Sequence, residues 1–308
     1  MRANIWICIA VFATLTLDGM ISNCNAQLVD GDIIISEFFE DVFQIDPVNR
    51  SQTNIFNQGL FLESIVGVGN TIFSRDFGEG IVEIDLSTGT SSLIAGSPTS
   101  VNELTFDQNE NLIITGNDGV QHYNTTTGVF STITTDEYRD VIVSAQGDIF
   151  VTDTFDGIGR LTSSGLFESI ADPGFAFEGL AIASDGLLYS YSSFDGLFQI
   201  NPLTGTSTML ESDIFDSVDD IVSFGNDALL VSGIFDIDGD GTSEDGLYRY
   251  DIATGVITSV FDETTDNLGF WSPGDVYVVG ELNAVVPEPT VIPVLALAIA
   301  GFVSRRRK

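Results

Sequence analysis

The stretch "SAQGDIFVTDTFDGIGRLTSSG", residues 144–165, decides the fold. Gly147 and Asp148 make a turn, and "IFVTD" follows as a short, mostly apolar strand. "FDG" turns the chain back, "IGRLT" is a second strand, and "SSG" turns again. Such punctuation by Gly, Asp and Ser marks tight antiparallel connections. The same motif recurs on both sides. "DGDIIISE", "GNTIFSRD", "NENLIITGN", "DGLLYSYS", "NDALLVSG" and "GDVYVVGE" repeat the turn and the apolar strand. Aligned starts fall at Asp32, Asn70, Asn111, Asp148, Gly186, Ala228 and Asp275, in steps of 37 to 47 residues.

A second strand follows in six copies: "VFQID", "IVEID", "VQHYN", "IGRLT", "LFQIN" and "LYRYD". Each leads to a turn in which Gly89, Gly128, Gly165, Gly205 and Gly255 supply permissive backbone, with Arg50 nearby in the first copy. A third strand ("SSLIAG", "VITSVF") and a fourth ("VNELTFD", "FEGLAIAS") complete each unit. Four short strands per roughly 40 residues is the pattern of a β-propeller blade. No stretch shows sustained helical periodicity. The expected fold is therefore an all-β propeller of six blades, each of four antiparallel strands. Terminal strands should close the ring and so remove its open edge. "NLGFWSPG" (267–274) is the expected closing innermost strand, which leaves "GDVYVVGE" as surplus. Seven blades remain the alternative if that surplus belongs to an incomplete seventh. The unit at 144–165 resembles the NHL-type and gluconolactonase-like six-bladed propellers, a group that hosts scaffolds, lyases and lactonases. Function must then be argued from the site.

The ends carry a second message. Arg2, an apolar run from Ile5 to Leu17 and "CNAQ" before Gln27 read as a secretory signal peptide over residues 1–26. A lipoprotein box at Cys24 is the alternative, and Asn23 fits it poorly. The propeller is expected over 27–283. Residues 284–308 hold Pro287-Glu288-Pro289, an apolar run from Val291 to Val303, and Arg305, Arg306, Arg307 and Lys308. Thirteen apolar residues fall short of the about 20 of a comfortable span. The two prolines keep Glu288 extended. This order resembles the PEP-CTERM sorting signal. The resemblance implies an exosortase-type processing enzyme as partner, only transient membrane contact, and delivery to the envelope or exopolysaccharide matrix of a Gram-negative-type bacterium. A plain C-terminal anchor is the alternative. Both cysteines, Cys8 and Cys24, lie in the leader, so stability should rest on packing or metal rather than disulfides.

Charge narrows the partners. The chain has 45 acidic and 10 basic residues, a net −35, and its only lysine is Lys308. Such a surface repels nucleic acid and anionic lipid and attracts cations. The composition is still that of a packed domain, with 44% hydrophobic residues and 23 Phe.

The sharpest motif is "DIDGDGTSEDG", residues 236–246. Asp236, Asp238 and Asp240 alternate before Gly241, as in a calcium loop, so that three carboxylates converge where the chain curls. Thr242 would offer its carbonyl, Glu244 would ligate directly or through water, and Asp245 would replace the missing terminal Glu. Two other units turn with "FDG", and here Ile237–Asp245 is inserted into that turn. A structural Ca²⁺ is the expected cofactor.

A weaker constellation stands where the innermost strands begin: Glu63, Asn102, Arg139, Glu178, Asp219 and Asn267. Glu63, Asn102, Glu178 and Asp219 form a candidate channel-mouth site for a divalent ion, with Arg139 intruding. Solvated polar caps are the competing reading. His122 is the single histidine, set on the polar side of its strand. With no cysteine and one peripheral histidine in the domain, nucleophile–base triads and histidine zinc sites are excluded.

Two functions remain open. One is a secreted surface or matrix protein that binds polysaccharide or envelope proteins. The other is a divalent-metal lactonase, lyase or glycan hydrolase at the channel mouth. The poverty of catalytic groups favours binding over enzymatic activity.

Overall fold

The computed structural model describes residues 28–29, 31–37, 41–153, 157–171, 177–192, 195–211, 215–236, 243–262 and 273–280. Every element within them is a β-strand. In chain order, β1 (Ile33–Glu37), β2 (Asp41–Asp46) and β3 (Ser51–Asn57) come first. Then come β4 (Leu62–Val68), β5 (Thr71–Asp76), β6 (Gly80–Asp85) and β7 (Thr90–Leu93). The next sheet is β8 (Val101–Phe106), β9 (Leu112–Gly116), β10 (Gly119–Asn124) and β11 (Val129–Thr134). It is followed by β12 (Asp140–Val143), β13 (Ile149–Asp153), β14 (Gly157–Leu161) and β15 (Phe167–Ala171). A further sheet holds β16 (Phe177–Ile182), β17 (Leu188–Ser192), β18 (Gly196–Ile200) and β19 (Ser207–Glu211). The series ends with β20 (Phe215–Phe224), β21 (Ala228–Phe235), β22 (Glu244–Asp251), β23 (Ile257–Asp262) and β24 (Pro273–Val278).

These strands form six antiparallel sheets of four, a six-bladed β-propeller. Five blades are consecutive in the chain. The sixth has the order β24-β1-β2-β3, so a strand from near the C-terminus supplies its innermost position. Ile33 pairs with Val278, Ile34 with Tyr277 and Ile35 with Val276. The ring thus closes as expected, but through "GDVYV". The expected closing stretch, "NLGFWSPG", lies outside the described residues except for its last two, Pro273 and Gly274. "GDVYVVGE" is not surplus. It opens with the Gly-Asp signal of a second strand, and only its distant partner β1 reveals that it is an innermost one.

The sequence explains the radial order. Second strands such as β9 and β17 are buried at every position, because a neighbouring blade covers each face. Their runs are correspondingly apolar rather than alternating. Outermost strands such as β7 and β19 are rich in Ser and Thr and mostly solvated. Six apolar clusters fill the six gaps between adjacent blades. In one of them Phe235 and Tyr248 are 0% and 1% exposed, with ring centroids 4.1 Å apart. Burying a side chain of this size contributes about 1.5–3 kcal/mol.

The turn after each second-copy strand is built alike. Gly89, Gly128, Gly165, Gly205 and Gly255 hold φ between 66° and 77°. Arg50 takes the same left-handed conformation, at φ 50°. An L-residue there costs about 1–2 kcal/mol, so Arg50 must recover that free energy through its side chain.

Among the described residues, no helix is long and apolar enough to cross a membrane. The leader and the 284–308 segment lie outside the described residues.

Candidate functional site

The innermost strands β4, β8, β12, β16, β20 and β24 neighbour one another around the axis and wall a central channel. Five of them carry a register irregularity near their start. In β24 it lies between Pro273 and Val276, where the strand faces β1. In the four others it lies between Glu63 and Ile65 in β4, Val101 and Glu103 in β8, Glu178 and Leu180 in β16, and Val218 and Asp220 in β20. A bulge re-aims a side chain and frees a backbone N–H. Together with β12, whose register is regular, the bulged strands set six residues around the axis: Ser64, Glu103, Asp140, Gly179, Asp220 and Asp275. Ser64 and Gly179 hold positive φ, 49° and 67°.

A belt of hydrogen bonds links these positions from blade to blade. The Ser64 N–H donates to Asp275. The Ser64 hydroxyl donates to Glu103 Oε1 at 2.6 Å and accepts from the Leu104 N–H at 2.7 Å. Asp220 Oδ2 accepts from the Val276 N–H at 3.0 Å, and its Oδ1 from Ile221 at 2.7 Å. Asp140 accepts from its neighbour's N–H, Val141, at 2.5 Å, and its own N–H donates to Thr152 Oγ1 at 3.1 Å.

Four carboxyl groups in one channel cannot all ionise cheaply. Burial pushes Asp220 up to about 6, against the lowering effect of the Val276 and Ile221 N–H groups. Burial, reinforced by Asp140 and Asp220, raises Glu103 well above the ordinary range. Asp140 rises for the same first reason, then through Asp220. Asp275 rises through burial and the charges of Glu103, Asp220 and Asp219, with Arg75 opposing.

Above the belt the channel opens into a depression of about 390 Å³. Arg75, Asn102, Glu137, Arg139, Asp219 and Asp275 are among its walls. Below the belt a smaller space of about 70 Å³ is lined chiefly by apolar residues such as Val66, Leu104, Ile142 and Leu180.

The residues expected at the mouth sit there one position before the belt. Glu63 is ion-paired with Arg75 rather than open to an ion. Asn102 donates its amide to the Tyr138 carbonyl at 2.8 Å. Arg139 and Asp219 line the depression, Glu178 directly precedes Gly179 in β16, and Asn267 lies outside the described residues. Asn102 and Asp219 thus share the wall of the depression, while Glu63 is engaged by Arg75. Glu103, Asp140, Asp220 and Asp275 are the carboxylates that share the channel. For three of them the signal was present in sequence, since the position after the chosen one is acidic in three of six copies, while Asp275 lies outside the stretch read as the closing strand. Among the described residues, no three His, Cys, Asp or Glu side chains are gathered as metal ligands. His122, on β10, meets Asp107 at 3.3 Å and is not part of the mouth.

In the candidate calcium loop, Asp238, Asp240 and Thr242 lie outside the described residues. Asp236 follows β21, and Glu244 and Asp245 begin β22. Phe235 pairs with Glu244 and Ile234 with Asp245, so the insertion prolongs the hairpin two pairs beyond Gly246. As successive strand residues, Glu244 and Asp245 point to opposite faces, and only one side chain can face an ion shared with Asp236. Pro287, Glu288, Pro289, Arg305, Arg306 and Arg307 lie outside the described residues.

No family model matches the chain, and no curated protein matches it. Solved structures share its fold. A protein of unknown function from Bacteroides caccae aligns at TM-score 0.57 and 12% identity, over 79% of this chain and 97% of that one. The extracellular domain of BT4673, assigned to the hybrid two component systems of B. thetaiotaomicron, aligns at 0.55 and 18%, over 76% of this chain. The match spans only 32% of that chain's length. Virginiamycin B lyase from Staphylococcus aureus aligns at 0.50 and 18%, over 64% of this chain and 68% of the lyase. At such identities the likeness concerns the fold alone.

Proposed function

We propose that this propeller is exported to the cell envelope or extracellular matrix of a Gram-negative-type bacterium and binds a ligand at its channel mouth. One observation carries the binding reading: a polar depression of about 390 Å³, walled by charged side chains of both signs, opens over a belt of hydrogen-bonded carboxyl groups. Its size suits an organic ligand. The leader and the Pro-Glu-Pro tail support export, with an exosortase-type enzyme as processing partner. Polysaccharide or other envelope proteins are the partners that fit; nucleic acid is opposed by a net charge of −35. The loop from Asp236 to Asp245 would hold a structural Ca²⁺.

A divalent-metal lactonase, lyase or glycan hydrolase is the second reading. The four channel carboxylates favour it, while the Arg75–Glu63 pair at the mouth opposes it.

The test is a glycan-binding screen of the protein with and without Ca²⁺, repeated on Arg139→Ala at the mouth and Arg160→Ala on β14. Arg139→Ala should lose ligands that Arg160→Ala keeps. Equal retention by both variants would remove the mouth from the reading.

A further inference from the structure

The mouth has an aromatic flank that neither packing nor the carboxylate belt explains. Phe61 and Phe77 are 50% and 66% exposed, the two exposed phenylalanines among the described residues. They belong together, since the Phe77 N–H donates to the Phe61 carbonyl at 2.9 Å. They also adjoin the mouth, through Arg75. The Arg75 guanidinium lies over the Phe77 ring, 5.4 Å from its centroid, and Arg75 itself lines the depression. Leaving two such rings in water forgoes about 1.5–3 kcal/mol each.

The charge around these rings is one-sided. Glu137, Asp219 and Asp275 on the walls, with Glu103 and Asp140 beneath them, face two arginines, and Arg75 is already committed to Glu63. Phosphorylated, sulfated or uronate ligands would meet like charge. A bare metal ion is a poor match, because among the described residues no three acidic side chains are gathered to ligate it. A carboxylate wall beside an aromatic face suits an ammonium group, which both attract. Two adjacent rings also offer a platform for the C–H face of a sugar, whose hydroxyls the polar wall can bond. A lysine side chain presents the charge without the flat face.

We propose that the channel mouth takes a positively charged amino sugar, with the sugar face on Phe61 and Phe77 and the ammonium group toward the Asp219 side. This rests on the reading of the mouth as a binding site and adds the chemistry of the ligand. Calorimetric titration of the full chain with a glucosamine oligomer, its N-acetylated counterpart and an oligolysine tests it. The free-amine oligomer should bind at least about tenfold more tightly than the acetylated one, and more weakly as salt rises. Phe77→Ala and Asp219→Asn, both at exposed residues, should each weaken it about tenfold while the variant still melts in one cooperative transition. Equal binding of acetylated and free-amine oligomers at the mouth would overturn the inference and leave the binding reading intact. So would oligolysine binding as tight as the glucosamine oligomer's and indifferent to Phe77→Ala. Binding of no carbohydrate and no peptide would overturn both.

Discussion

Arg50 and Asp262 meet at 3.1 Å across the seam between the last-built and first-built blades. Arg50 sits in the turn between β2 and β3, and Asp262 ends β23. The guanidinium also donates to the Ser259 carbonyl at 3.0 Å and to its hydroxyl at 3.2 Å. The residue that departs from glycine in this turn series is thus the one that clamps the closing seam. Asp262 is 2% exposed, so losing the guanidinium would strand a buried carboxylate.

That pairing predicts an order among substitutions. Arg50→Ala keeps the backbone strain and loses the clamp, and should cost about 1–3 kcal/mol. Arg50→Gly also loses the clamp but relieves about 1 kcal/mol of strain. Melting temperatures should fall in the order wild type, Arg50→Gly, Arg50→Ala. An alanine variant as stable as wild type would show that the clamp contributes nothing.

The channel belt predicts an inverted response to pH. Glu103, Asp140, Asp220 and Asp275 all have folded-state pKa values raised above their ordinary ones. The folded protein therefore holds protons that the unfolded chain has released. This contribution is full below the ordinary carboxylate range and is lost as pH rises through the folded values, about 6 for Asp220. The turn aspartates Asp46, Asp85 and Asp251 are lowered by hydrogen bonds from their own turns and act the other way, only at more acid pH. The melting temperature should therefore be higher near pH 5 than near pH 8. Asp220→Asn should flatten that slope, and a steeper slope in the variant would contradict the account.

Calcium should raise the melting temperature, and a chelator should reverse the gain. Asp238→Ala combined with Asp240→Ala should abolish the response while leaving the pH slope in place. Identical melting curves with and without chelator in the wild type would end the loop assignment.

The tail predicts a cellular phenotype. Replacing Pro287 and Pro289 should leave unprocessed protein in the membrane fraction. Wild type and variant released to the same extent would count against sorting through that segment.

Much of this fold was legible because each blade repeats a local signal, a Gly/Asp turn followed by an apolar run. What the local signal could not show is which strands pair at long range. "GDVYVVGE" carries the turn signature of a second strand, yet it pairs with β1 across most of the chain. Assigning it wrongly also hid Asp275 among the turn acids. The carboxylate belt, one residue beyond the expected mouth positions, is hidden in the sequence for a different reason. Bulges at Ser64, Asn102, Gly179 and Asp219 insert a residue into the innermost strands, and strict alternation has no means of counting it. The aromatic flank was half visible. Phe77 follows the strand "TIFSRD" in the sequence, but its company with Phe61 and Arg75 exists only once β4 and β5 are paired.

Because β24 completes the blade begun by β1, the ring is fastened only after every other strand in it has been synthesised. Until Pro273–Val278 emerge, β1 waits with a bare edge, and five finished blades form an open arc. Maturation should be late, abrupt and slow to nucleate, as long-range pairing dictates. A ribosome that stalls short of Pro273, or a protease that cuts there, would leave an unlatched crescent with a sticky rim rather than a smaller propeller.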